Sequence, residues 1–150
     1  MCINYIKNWK VPSPKRVKQV NINQLRDAIA KEFNVDIPIL IPDKYWYLAT
    51  MDSFLEFLDY DQTDKYVYIA DKENKEITFD CDNYAHIFKG NASIPKWGNI
   101  PIGTVWLSEP KHAINIFVDE KLIPYYVEPQ NDSIWKVSDK PNWKPYIVWF

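Results

Sequence analysis

The chain has 150 residues, 47% of them hydrophobic and 25% charged, with a net charge of −2. That is the composition of one globular domain with its own core, and it excludes a disordered or low-complexity chain. The near-neutral balance gives no overall electrostatic case for nucleic acid or an anionic membrane, and no apolar run reaches the length of a membrane span.

The start, MCINYIKNWKVPSPK, lacks the apolar stretch of a signal peptide. A cytoplasmic, reducing setting is therefore the default expectation. Residues 1–20 read as a basic, proline-broken arm of a single domain covering 1–150, with KNWKVPSPKRVKQ at 7–19 as its charged part. Solvation is the plain reading of that run, and contact with a polyanion is the alternative.

The first convincing element is NQLRDAIAKEF, residues 23–33, where Leu25, Ile29 and Phe33 recur at helical spacing and Asn21 or Asn23 can cap. NVDIPILIPDKYWYLAT follows, with three prolines, and reads as extended chain and turns. A second helix is predicted from about Asp52, because Ser53 and Glu56 stand at capping-box spacing in DSFLEFLDY. KYVYIADKENKEITF reads as a strand and a charged turn. Tyr84, Ala85 and Phe88 then predict a helix over 82–90 that ends on Gly90.

Beyond residue 100 the pattern changes. IPIGTVWLS, HAINIFVD, LIPYYVEP and KPYIVWF are β-branched and aromatic runs bounded by turn residues. Helices first and strands afterwards predict an α+β fold with an antiparallel C-terminal sheet.

Cys2 and Cys81 are the only cysteines, which is no disulfide framework, although a pairing of the two stays open. Cys81 lies between Asp80 and Asp82. Negative neighbours discourage a thiolate, whereas a helix N-terminus favours one. Taken by itself Cys81 reads as an inert core thiol.

Two histidines are present. His86 is five residues past Cys81 on the same predicted helix, so the two side chains diverge by about 140°, and it reads as an exposed helix residue. His112 opens a strand. If residues 112–118 and 122–128 pair around a short turn at 119–121, Glu128 stands directly opposite His112, at cross-strand distance. The chain order is then thiol, base and orienting carboxylate: Cys81, His112, Glu128. Asp80 and Asp82 are oxygen donors of the kind calcium accepts, although solvated or capping carboxylates are the plainer reading. Trp97 and Trp143 are candidates to line a groove, with core packing as the alternative.

FDCDNYAHIF, HAINIFVD and YYVEPQND together resemble the papain-like and transglutaminase-like cysteine hydrolases. Within these the match is to the C-terminal peptidase domain of Marasmius oreades agglutinin and its stand-alone microbial and phage relatives. The resemblance covers residues 76–135 and fades before residue 45. It implies a papain-like fold, with N-terminal helices and the nucleophile at a helix N-terminus packed on the sheet. It also implies a cysteine peptidase that forms an acyl-enzyme on Cys81, with His112 as base and Glu128 as orienter, a peptide or protein substrate, and dependence on Ca²⁺. The Cys81 backbone N–H is the natural oxyanion donor, with Gln62 or Asn83 as side-chain candidates. No sugar-binding domain precedes this stretch, so a lectin function is not implied. The alternatives are a catalytically silent binding or assembly module on the same scaffold, a transglutaminase-like acyl transferase, or a cell-wall amidase.

Overall fold

The helix read from Leu25, Ile29 and Phe33 is present and buries all three side chains. The computed structural model describes residues 10–70 and 78–150. In chain order its elements are β1 (Arg16–Asn21), α1 (Ile22–Phe33), β2 (Ile39–Leu40), β3 (Tyr45–Ala49), α2 (Met51–Tyr60) and α3 (Cys81–Ala92). They are followed by β4 (Ile102–Glu109), β5 (His112–Val118), β6 (Pro124–Glu128), β7 (Ser133–Lys136) and β8 (Lys144–Trp149). The predicted KENKE turn, together with Cys2, lies outside the described residues.

The predicted order of helices followed by strands is corrected here. Among the described residues eight strands accompany three α-helices, and three of the strands lie in the first fifty residues. The second half of the basic segment is β1, paired antiparallel with β3. The main sheet has six strands in the order β2-β8-β4-β5-β6-β7. It is mixed rather than purely antiparallel, because β2 pairs parallel with β8. Long-range pairing, not local pattern, makes strands of β1 and β2, which is why the sequence reads them as arm and turns.

Alternation along the strands feeds two cores. Ile114, Ile116 and Val118 of β5 face α1 and the β1–β3 pair, where Leu25, Ile29, Trp46 and Leu48 are fully buried. Phe117 of β5 and Val127 of β6 face α2 and α3, packing with Phe54, Phe57 and Phe88. Phe54 and Phe117 stack face to face, with ring centroids 3.9 Å apart. Trp97 belongs to this second core and donates its indole N–H to Pro12 O at 2.8 Å, so it lines no groove. Trp143 packs against the first core.

Helix ends also differ in detail. Thr50 caps α2 by accepting the Ser53 N–H at 3.3 Å, so the helix begins before the predicted Ser53–Glu56 box. Helix α3 runs through Gly90 to Ala92, and Ser93 closes it by donating its hydroxyl to Lys89 O at 2.8 Å. Among the described residues no helix is long and apolar enough to cross a membrane.

Candidate functional site

The site is built where the first turn of α3 meets the start of β5. Asp80 caps α3 and forms a reciprocal capping box with Asn83, whose side-chain oxygen accepts the Asp80 N–H at 3.0 Å. That puts Cys81 in the first turn, partly exposed and as a free thiol.

Helix α3 is fixed to the sheet by Asn115. This fully buried residue donates both amide protons, to Ala85 O in α3 at 2.9 Å and to Gly103 O in β4 at 3.0 Å. Cys81 is four residues before Ala85, about 6 Å back along the helix. His112 is three residues before Asn115, about 10 Å back along the strand. The helix start and the strand start therefore lie at the same end of the seam. His86 marks that end too: it is exposed, and its ring stands 5.7 Å from that of Trp106, the ladder partner of Ala113.

His112 and Glu128 meet: imidazole Nε2 and carboxylate Oε2 are 2.6 Å apart, with side chains 21% and 11% exposed. An ionised carboxylate only accepts, so Nε2–H donates and Nδ1 is left for a further partner. Glu128 is itself held, because its Oε1 accepts the Gln130 N–H at 3.3 Å. The geometry of the pair departs from expectation. Ile116 faces Tyr126 and Asn115 faces Val127, which puts Glu128 opposite Ile114 instead of His112. The cause is the β5–β6 turn. Asp119 Oδ1 accepts the N–H groups of both Lys121 and Ile123 at 2.9 Å, and Leu122 takes a φ of 62°, so the connection is longer than a tight turn. A shift of two residues keeps both side chains on one face, and they touch diagonally.

Cys81 has a different standing. Among the described residues no hydrogen bond links its sulfur to His112. The structure joins two of the three predicted side chains, but alternation puts His112 on the face of Ile114 and Ile116, which look toward α1, whereas Asn115 looks toward α3, so no contact joins Cys81 to the pair.

Asp80 and Asp82 are engaged at the helix start. A hydrogen bond with the Asp80 side chain is the main reason Asp82 sits below the usual carboxylate range, and the Asp82 and Asn83 backbone N–H groups and the His86 charge add to it. Calcium takes six to eight oxygen ligands. Two carboxyl groups bonded to each other do not fit that set. Among the described residues no group of three or more His, Cys, Asp or Glu side chains is placed to hold a metal. The side-chain oxyanion candidates are also occupied: Asn83 by the capping box, and Gln62 by Tyr60 O and Asp61 O, both at 3.3 Å.

The turn after Glu128 carries a further titratable group. Burial raises Asp132 to about 6, assisted by the charges of Asp64 and Asp61. The folded state then holds this proton more tightly than the unfolded chain does, so stability is greatest below the ordinary value of 3.8 and declines as pH rises toward about 6. Asp132→Asn suits the residue's φ of 59°. The substitution is expected to raise the melting temperature at pH 7 and to flatten its fall between pH 4 and 6. Thermal unfolding across that range measures it, and an unchanged slope would remove Asp132 as its source.

Asn115 is the important residue that the sequence reading did not single out. Its signal was present: one amide in the otherwise apolar run AINIFV.

No protein-family model matches the sequence. No curated protein matches it either. Solved structures do match. One is the PSL1a–E64 complex, with TM-score 0.69, 20% identity, and coverage of 88% of this chain and 51% of that one. Another is Polyporus squamosus lectin bound to the human-type influenza-binding epitope Neu5Aca2-6Galb1-4GlcNAc, with TM-score 0.67, 22% identity, and coverage of 88% and 49%. The chain thus spans about half the length of the lectin chains it matches, and at this identity what is shared is the fold. Both neighbours are Polyporus squamosus lectin structures and neither is named as a hydrolase. This corrects four expectations: the papain-like assignment, cysteine peptidase activity, an acyl-enzyme, and a peptide substrate.

Proposed function

We propose that this chain is a ligand-binding module whose site is the α3–β5 seam, with Cys81, His112 and Glu128 as its polar set and retention of ligand as its output. The carrying observation is the His112–Glu128 contact at 2.6 Å, in which the second carboxylate oxygen is held by the Gln130 N–H. A ring fixed on one side offers its other nitrogen in a set direction, which lowers the ordering cost of binding. Support also comes from the neighbours, one a complex with E64 and the other carrying a sialylated epitope. A cytoplasmic setting, which keeps thiols reduced, fits a free Cys81.

The test is covalent labelling by mass spectrometry with E64, a thiol-directed reagent, on the whole chain. Labelling is expected at Cys81, faster than at glutathione and without release of cleaved product from amide substrates. Glu128→Gln turns a charge-assisted bond into a neutral one about half as strong, so the labelling rate should fall by up to about tenfold. Labelling no faster than glutathione would overturn the site, and sustained product release would overturn retention as the output.

The sialylated neighbour favours a carbohydrate as the ligand class. Calorimetric titration with that trisaccharide, on the native chain and on Glu128→Gln, checks it. Heat that is absent from both removes this reading.

A further inference from the structure

The basic run KNWKVPSPKRVKQ plays no part in the seam, and its described portion, from Lys10 onward, has a surface of its own. Lys10, Lys15, Arg16, Lys18 and Lys44 are all exposed, and among the described residues none of them belongs to an ion pair. The net charge of −2 is spread over the whole chain. Neither β1 nor β3 contains an acidic residue, and the charge of Asp43, just before Lys44, acts on Lys89 of α3. Val20, Trp46 and Leu48 turn one face of this strand pair to the first core. The other face carries Tyr45 and Tyr47, both exposed and two residues apart on one strand. The Arg16 guanidinium lies over the Tyr47 ring, 5.7 Å from its centroid, and the Lys44 ammonium over the Tyr45 ring at 5.3 Å. Both are held in place: Arg16 donates to Lys96 O at 2.5 Å, and the Tyr47 hydroxyl accepts from the Gln19 amide at 3.2 Å. Tyr60, Tyr66, Tyr68, Tyr146 and Trp149 are exposed too, yet among the described residues no cation stands over any of them.

Unpaired cations alone suit any polyanion, and open rings alone suit any apolar partner. The two interleaved on one sheet face match a single strand of nucleic acid, whose phosphates take the cations and whose unstacked bases lie on the rings. A base-paired duplex keeps its base faces stacked inside and has no use for the tyrosines. We propose that the outer face of β1 and β3 binds single-stranded nucleic acid, with Tyr45 and Tyr47 as stacking platforms and Arg16, Lys44 and their exposed neighbours neutralising phosphates. This surface is separate from the Cys81 site and stands whether or not that site holds a ligand.

Fluorescence anisotropy with the whole chain and a labelled oligothymidylate of about 12 nucleotides tests it. Binding is expected at low salt, with the logarithm of affinity falling against the logarithm of salt by about 0.7 for each phosphate neutralised. Tyr45→Ser and Tyr47→Ser change exposed side chains, and each should weaken binding about fivefold or more, as the loss of one base stack would, while leaving the salt slope unchanged. Lys44→Gln should instead make the slope shallower by about 0.7. Heparin, a polyanion without bases, is the control, and its binding should respond to neither tyrosine substitution. Circular dichroism of each variant confirms the fold. Three results overturn the proposal: no oligothymidylate binding at low salt, binding that both tyrosine substitutions leave unchanged, which would make the face a basic patch for polyanions in general, or equal affinity for a duplex of the same length.

Discussion

Asn115→Ala is expected to lower the free energy of unfolding by about 2–4 kcal/mol, since it removes two hydrogen bonds from a buried place and leaves a small void. The native amide joins Ala85 O of the helix to Gly103 O of the strand, and both bonds are shorter than 3.1 Å. Water does not reach this place to compensate, because Asn115 is fully buried. Asn115→Asp keeps the shape but replaces the nitrogen that makes both bonds with an oxygen that faces two carbonyls, and at neutral pH it is expected to be the more damaging change. Urea unfolding of the two variants measures both effects. A loss below about 0.5 kcal/mol for alanine, the range of an ordinary surface change, would show that α3 is held by its apolar contacts alone.

The carbonyl that accepts one of those bonds belongs to the least substitutable glycine. A Cβ at Gly103 would stand 2.6 Å from Trp149 O, 3.0 Å from Phe150 Cδ1 and 3.2 Å from Ile116 Cγ2. The nearest of these is backbone, so β8 would have to move away from β4. Overpacking typically costs about 1–3 kcal/mol, and a clash with backbone lies at the upper end, so Gly103→Ala is expected to lose about 3 kcal/mol or more. Gly90 is the contrast. It lies inside α3 with nothing within 4 Å of its added Cβ. Gly90→Ala is expected to stabilise by about 0.5–1 kcal/mol, the helix preference for alanine. Chemical denaturation of the two variants side by side should show opposite signs. A tolerated Gly103→Ala would mean that the β4–β8 pairing gives way more easily than its geometry implies.

What could be read from the sequence divides along physical lines. The stripe of Leu25, Ile29 and Phe33 and the β-branched runs of β4, β5, β6 and β8 are local patterns, and they gave the right elements. Strands β1 and β2 have no such pattern. β2 is two residues long, and it is a strand because β8 lies beside it. The pairing of His112 with Glu128 could be anticipated because strand parity tolerates a shift of two residues, while the shift itself depended on the Asp119 side chain rewriting the turn. The clamp at Asn115 needed knowledge of what lay above the strand. FDCDNYAHIF encodes a capped helix start with a thiol in its first turn. The peptidase reading rested on the chain order of Cys81, His112 and Glu128 together with the resemblance, and the structural neighbours, neither of them named as a hydrolase, speak against it.

The sheet order carries a consequence for how the chain reaches this state. β8 lies between β2 and β4, although among the described strands it is the last to leave the ribosome. Until it arrives, the meander β4–β7 has an unsatisfied backbone edge along β4, and β2 is without a partner to make it a strand. Such an edge invites pairing with a neighbouring nascent chain. The sheet can therefore close only once KPYIVW is available, and the yield of folding should depend on how long the β4 edge stands open before then.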